Sequence, residues 1–244
     1  MAEAAFWGFV GGTALIVGAL VGLRFRMSRR WIGLIMGFGA GVLISALAFD
    51  LTEEAFERAG GDAVTIGLAA GSLTFFAGDW LLDRRGGEDR KASTGEQAEG
   101  NPLAIVLGAL LDGIPESVAI GVTLLEGTGV GLAFVVAVFL SNVPESLAAA
   151  TGLKRAGWRD RRIVALWTGV ALVSAVAAAL GYALLDGASQ ETIAVIQAFA
   201  AGAILTMLAD TMIPEAFEQE GRSAVLGVVT VFGFTLAFLL TTLE

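Results

Sequence analysis

A series of long, nearly uncharged runs of about bilayer length constrains this chain more than any other feature. The runs cover about 4–23, 31–50, 63–82, 103–125, 127–153, 163–185, 192–213 and 223–243. An α-helix needs ~20 apolar residues to cross a bilayer, whereas a transmembrane barrel would show alternating segments of ~10 residues. Because backbone polar groups in lipid must be satisfied internally, the runs predict helices. We therefore expect an all-α integral membrane protein in which residues 1–244 form a single transmembrane domain of eight helices.

The distribution of basic residues predicts how these helices are oriented. Of the 15 Lys and Arg residues, 14 fall after spans 1, 3 and 5 or before span 8, and only Arg58 falls on the opposite side. The positive-inside rule makes the basic side cytoplasmic, so the polar loop 84–101 is cytoplasmic and both termini are extracytoplasmic. The acidic start, MAEAAFWGF, indicates a first span rather than a cleaved signal peptide. These features predict a multi-pass protein of the plasma (inner) membrane.

Composition removes several classes of site and partner. The chain has no Cys and no His, so disulfides and thiolate or imidazole metal sites are excluded. Its net charge of -9 argues against a nucleic-acid partner, while the lipid bilayer is its obligatory surrounding. No organic cofactor is expected. Its many small residues permit close helix packing and a homodimer, without requiring one.

An internal repeat organises most of the chain. Residues 38–60 align without gaps to residues 199–221, and both segments contain EAFE, at 54–57 and 215–218. The first copy ends span 2 on the outside and the second ends span 7 on the inside, so the copies run in opposite directions. The pattern predicts an inverted 3+2+3 repeat with spans 4 and 5 at its centre. Inverted repeats of this kind are typical of secondary transporters.

The central spans carry twin polar motifs, DGIPES at 112–117 and SNVPES at 141–146. Their spacing places Asp112 with Glu116, and Asn142 with Glu145, each pair on one helical face. Carboxylates at membrane depth are costly unless they meet a cation or a proton, and no Lys or Arg lies inside a span. We therefore predict a metal-ion site whose ligands are Asp112, Glu116, Asn142 and Glu145.

Two prolines and several further polar residues extend this prediction. Pro115 and Pro144 donate no backbone hydrogen bond, so they are expected to break their helices locally and to release the carbonyls of Leu111 and Leu140 toward an ion. An ion pathway is predicted at Asp50, Glu53, Ser141 and Asp210. Other interpretations stay open: Asp50, Glu53, Asp79 and Asp210 suit simple interfacial positions, the serines suit helix packing, and the central acids suit protonated hydrogen bonds between helices.

The predicted spans, termini and cytoplasmic loop, with paired Pro-Glu motifs in spans 4 and 5, resemble the ZIP (Zrt/Irt-like) metal transporters over nearly the whole chain. In that family span 4 carries a pattern like HNxPEG, and span 5 one like HExPE or QDxPE. The resemblance implies that Glu116 and Glu145 are metal ligands and that Asp112 takes the place of the leading histidine. It also implies a transporter of divalent metal ions, not an enzyme.

The chain departs from the family pattern at several ligand positions. Gly113 stands where the family has an asparagine, Ser141 and Asn142 replace the leading span 5 ligands, and span 6 is uncharged. An all-oxygen ligand set suits Mn, Mg or Ca better than Zn. The architecture still implies a zinc-class substrate, Zn with Mn, Fe or Co as further ions, held at one occupied site. The alternatives are a transport-incompetent metal sensor, a structural membrane protein, and an intramembrane enzyme that uses Asp112 and Glu116 as acid and base.

Overall fold

The described residues of the computed structural model, 1–25, 27–87, 102–126, 130–221 and 224–243, are helical apart from short connections. They form nine α-helices and no strand. The helices are α1 Ala2–Arg24, α2 Arg29–Ala46, α3 Glu54–Leu82, α4 Pro102–Thr123, α5 Leu132–Arg155, α6 Asp160–Leu185, α7 Gln190–Met207, α8 Ile213–Glu220 and α9 Ala224–Thr241. Most of the predicted cytoplasmic loop, residues 88–101, lies outside the described residues.

Seven helical segments in the described part of the chain are long and apolar enough to cross a membrane, which confirms an all-α, multi-pass architecture. One of them, Arg29–Gly87, counts 59 residues and joins α2 to α3. A straight helix of that length would measure about 88 Å, almost three times the hydrocarbon thickness. The backbone leaves the helical region within it, at Gly60, where φ is 76° and ψ is -175°. Only glycine adopts this conformation readily.

Two π-helical segments follow the matching ends of α2 and α7. The first is Leu47–Glu53, and the second is Leu208–Met212. Both begin at corresponding positions of the sequence repeat, and both contain an aspartate of the predicted ion pathway, Asp50 or Asp210. A π-helical turn widens the helix and redirects the side chains around it, often at functional sites. The sequence pattern predicted plain α-helix here, because apolar periodicity does not distinguish α-helical from π-helical hydrogen bonding.

The helices pack as two groups that meet at the centre. In one group α1 packs against α5 and α6, and α6 packs against α4. In the other α2 packs against α8 and α9, and α7 packs against α3. Contacts of α2 with α5 and of α4 with α7 join the groups. The two helices that carry the twin motifs therefore each touch both groups.

Close backbone contacts hold α2 against α9 and α7 against α3 in the same way. A Cβ added at Gly41 would overlap the carbonyl oxygen of Thr230, and one at Gly233 would overlap that of Phe38. The second pair repeats this arrangement: Gly202 lies on the carbonyl of Leu68, and Gly71 lies on that of Phe199. Such approaches are typical of membrane helices, because packing of small residues replaces the hydrophobic drive available in water.

Gly41→Ala and Gly202→Ala should each destabilise the protein, because the new methyl group meets backbone rather than a movable side chain. Overpacking of this kind costs about 1–3 kcal/mol. The thermal midpoint of the purified chain in detergent should fall for both variants. Gly227→Ala is the matched control, since nothing lies within 4 Å of a Cβ at that helical position, and its midpoint should be unchanged or slightly raised. Equal midpoints for all three variants would contradict the packing described.

Candidate metal-transport site

The four predicted ligands of the central pair are all buried. Asp112 and Glu116 on α4 are 3% and 2% exposed, and Asn142 and Glu145 on α5 are 5% and 4% exposed. None of them faces lipid. Burial of polar groups at this depth is costly unless they are paired with one another, a proton or a cation. The four side chains therefore lie inside the bundle, on two helices that contact their neighbours more than each other.

Those neighbouring helices set where each motif lies. A Cβ at Gly39 of α2 would lie 3.1 Å from Pro144 Cγ and 3.1 Å from the Cα of Ser141, so the α5 motif packs directly on α2. Gly113 of the α4 motif faces α6, where the nearest atoms belong to Val170 and Ser174. A Cβ at residue 113 would make ordinary contacts of 3.8 Å with these atoms, and glycine offers no side-chain ligand.

Neither proline ends its helix. α4 and α5 run through Pro115 and Pro144 as continuous helices. The Ser117 hydroxyl donates to the carbonyl of Gly113 at 2.7 Å, and the Ser146 hydroxyl donates to the carbonyl of Asn142 at 2.9 Å. Both serines thus lie two residues after the proline and bond a carbonyl two residues before it. This arrangement occupies those two carbonyls and differs from a local unwinding of the helix.

Among the described residues, no group of three or more Asp, Glu, His or Cys side chains is arranged to hold a metal ion. The four predicted ligands include an amide, and they are divided between two helices that touch each other little. Ser141, predicted on the ion path, is buried and donates to the carbonyl of Val138 at 3.0 Å, which leaves its oxygen lone pairs as acceptors. The central residues therefore form a buried polar region rather than a closed coordination sphere.

An acidic pocket lies at the end of the bundle where α2 and α9 finish. Its cavity is about 260 Å³ and lies beside the end of α4 and the start of α5. Four carboxylates line it: Asp50, Glu53, Glu54 and Glu57. Thr241 of α9 donates to Asp50 Oδ1 at 3.0 Å. Two residues of the predicted pathway, Asp50 and Glu53, therefore share one pocket next to the central helices.

Glu54 of this pocket is held from two sides. Arg58, the one basic residue predicted on the outer side, contacts Glu54 Oε1 at 3.0 Å, and Gln197 of α7 donates to Glu54 Oε2 at 2.6 Å. Gln197 is fully buried and was not singled out from the sequence. The sequence did contain an indication of its role, since Gln197 is the one amide within the apolar run of span 7.

The opposite end of the bundle has a corresponding network. Arg29 donates to Gln219 Oε1 at 3.1 Å, Gln219 donates to Glu215, and Arg30 lies 3.4 Å from Glu220. Asp210, the fourth predicted pathway residue, is exposed on its π-helical segment. It therefore differs in exposure from the buried central residues.

In each of the two networks an arginine from one half of the repeat donates to a glutamine from the other half. On one end Arg58 donates to Gln190 at 2.8 Å, and on the other Arg29 donates to Gln219. Within the sequence repeat Arg58 aligns with Gln219, and the same offset carried back along the chain pairs Arg29 with Gln190. Each end therefore has one arginine and one glutamine in swapped positions.

Asp79, predicted near the membrane interface, is buried within the protein. It is 3% exposed, although it lies near the end of α3. The position of Asp79 near a span end predicted access to water, but packing against neighbouring helices buries its side chain.

Comparison with known proteins shows the family of this chain. The sequence profile of the ZIP zinc transporter family matches residues 82–243. The zinc transporter ZupT of Enterobacter sp. (strain 638) is 30% identical over 246 residues, which cover 95% of each chain, and ZupT of Escherichia coli is 29% identical over the same extent. The chain belongs to the ZIP family. A putative zinc transporter of Arabidopsis thaliana is 26% identical over 93% of this chain, which spans 37% of that relative's length.

Membership of the ZIP family confirms two expectations from the sequence. The resemblance based on the Pro-Glu motifs was correct, and it extends over nearly the whole chain. A family of transporters is also not one of enzymes, which removes the acid-base pair of Asp112 and Glu116 as a hydrolytic centre. The ligand set of the site stays a prediction.

Replacing Gln197 with leucine should destabilise the acidic pocket. The substitution removes the amide donor of Glu54 Oε2, which is half-buried, and costs about 1–3 kcal/mol. Gln190→Ala removes an exposed bond of Arg58 and should cost less than about 1 kcal/mol. Thermal unfolding of both purified variants measures the difference. A smaller loss for Gln197→Leu than for Gln190→Ala would contradict the network.

Proposed function

We propose that this protein moves divalent metal cations of the zinc class into the cytoplasm through a carboxylate-rich site between α4 and α5. The observation that carries the proposal is the burial of Asp112, Glu116, Asn142 and Glu145, each at most 5% exposed, in a chain of a transporter family. No Lys or Arg lies within the apolar spans to neutralise these acids. A cation that passes between the helices supplies the missing positive charge.

The ligand chemistry favours some divalent ions over others but does not identify the transported ion. Zinc is the ion in the names of the relatives, and it leads among the candidates, with Mn, Fe and Co behind it. The proposed ligands offer only oxygen, which favours harder ions more than a histidine site would. Two carboxylates on α4 and one on α5, with one amide, suit a single bound ion better than two.

We further propose eight spans arranged as an inverted repeat. Gly60 divides the 59-residue segment into two spans, because its backbone is not helical. The duplicated glycine contacts of α2 with α9 and of α7 with α3 support the symmetry, as do the swapped arginine and glutamine pairs. With the basic ends cytoplasmic, this plan places both termini outside and the protein in the inner membrane.

The proposed transport cycle is alternating access around the central site. A hydrated cation collects in the acidic pocket, where Asp50 and Glu53 attract it, and then loses water onto Glu116, Glu145, Asp112 and Asn142. Ser141 lies on the proposed path, and the ion leaves past Asp210 when the two helix groups change their relative position. Open coordination favours release, because an ion held by a complete cage would leave slowly.

A transport-incompetent metal sensor is the second candidate. It is favoured by Asp112 and Ser141 at the leading ligand positions of the two motifs and by Gly113 in place of an asparagine. It is also favoured by the lack of a preformed metal-holding group among the described residues. A sensor would bind metal without carrying it across the bilayer. The same observations suit a purely structural membrane protein, which would do neither.

Uptake into proteoliposomes distinguishes these functions. The unaltered protein should import one or more of Zn, Mn, Fe, Co, Mg and Ca, and Glu116→Ala and Glu145→Ala should each reduce that uptake to the level of empty vesicles. Asp186→Asn is the matched control, because Asp186 is an exposed acid at the end of α6, and its uptake should be normal. Metal binding without uptake by the unaltered protein would support the sensor, and uptake by both alanine variants would place the site elsewhere.

The entry pocket predicts a different kinetic effect. Asp50→Asn and Glu53→Gln should raise the KM for the transported ion and leave the maximal rate nearly unchanged, because they weaken attraction at the pocket and not binding at the centre. The rise should be larger at low salt, where exposed charges are less screened. A fall in maximal rate with unchanged KM would contradict a role in entry.

A further inference from the structure

An apolar groove runs along the outside of the bundle between α4 and α6. Its cavity is about 440 Å³, and its walls are Val106 and Leu110 of α4 and Leu166, Val170 and Val173 of α6. A second, wholly apolar groove continues from Val173 toward the other end of α6. The groove between α4 and α6 therefore opens to the hydrocarbon of the membrane.

The mouth of the groove is chemically different from its walls. Trp158 and Arg162 lie there, with the guanidinium of Arg162 3.7 Å from the centre of the Trp158 ring. Within the described part of the chain, Arg162 makes no ion pair with an acidic residue. Trp side chains concentrate at the headgroup level of membranes, and arginine matches phosphate with paired N–H donors.

The length of the groove matches one leaflet. From Arg162 to Val173, α6 rises about 16 Å at 1.5 Å per residue. Half of a hydrocarbon core of about 30 Å is about 15 Å. An acyl chain whose headgroup lies at Arg162 would therefore reach the bilayer midplane where this groove meets the second one.

A glycine opens the wall of the groove. Gly169 lies on its α6 side, and nothing is within 4 Å of a Cβ built there. A larger side chain at that position would project into the groove without meeting any other part of the described chain. The site can therefore be filled by substitution with little disturbance of the fold.

We propose that this groove binds an anionic phospholipid, with the phosphate on Arg162 and one acyl chain along α4 and α6. The apolar walls alone would accept any lipid tail, and the cation at the mouth selects the negative headgroup. The site lies on the helix that carries Asp112 and Glu116, but its existence does not depend on transport by those residues.

Native mass spectrometry of the full chain in detergent tests the site, with phosphatidylglycerol and phosphatidylcholine of identical acyl chains as probes. The unaltered protein should retain about fivefold more phosphatidylglycerol, as expected for one basic group near a lipid phosphate. Arg162→Gln should remove that preference, and Gly169→Leu should lower retention of both lipids. The matched controls are Arg161→Gln, at the same membrane face, and Gly227→Leu, at an equally open glycine of α9, and both should behave as the unaltered protein does.

Three results would overturn the proposal. Equal losses for Gly169→Leu and Gly227→Leu would show general lipid coating, with no selective groove. In the second, inorganic phosphate would raise the thermal midpoint of the unaltered protein but not that of Arg162→Gln. That result would assign the site to a free anion and not to a lipid with an acyl chain. In the third, light scattering would show that the unaltered protein is a dimer and that only Gly169→Leu is a monomer. If lipid retention were unchanged in that variant, the groove would be assigned to a second copy of the chain.

Discussion

The free-energy cost of a carboxylate in hydrocarbon is the constraint on which the rest of this structure depends. Asp112, Glu116 and Glu145 are almost completely buried on helices that are otherwise apolar, and each would cost several kcal/mol if ionised and alone in lipid. The bundle keeps these acids out of lipid by surrounding α4 and α5 with helices of both packing groups. The proposed cargo cation then supplies the positive charge that the spans do not contain, so burial of the acids and transport of the ion have the same physical origin.

Around this centre the peripheral polar residues stabilise both ends of the bundle. One end joins Arg58, Glu54, Gln190 and Gln197, while the other joins Arg29, Gln219 and Glu215. Each arginine donates to a glutamine that occupies the other arginine's place in the sequence repeat. If the repeat is inverted as proposed, the two mouths share a plan and differ in charge. The end that carries Arg58 has an additional acidic pocket, which suits collection of cations.

Much of the fold could be predicted from local pattern, because a membrane leaves helices as the only way to satisfy the backbone of such apolar runs. The same runs and the Pro-Glu motifs led to the ZIP family, which the relatives confirm. Features set by contacts distant in sequence could not be predicted. Apolar periodicity did not show the π-helical turns after α2 and α7, the burial of Asp79, the role of Gln197, or the continuity of α4 and α5 through their prolines. Serine hydroxyls near those prolines bond carbonyls that the sequence alone leaves unassigned.

X-ray absorption at the zinc edge tests the central claim most directly, because it reports the atoms bound to the metal in the intact protein. The account predicts an oxygen-only shell at about 2.0–2.2 Å in the zinc-loaded unaltered chain. Bound zinc and this shell should both be lost in the Glu116→Ala, Glu145→Ala double variant. An unchanged spectrum and unchanged zinc content in the double variant would contradict the account, since the metal would then be held by residues outside the buried pair of helices.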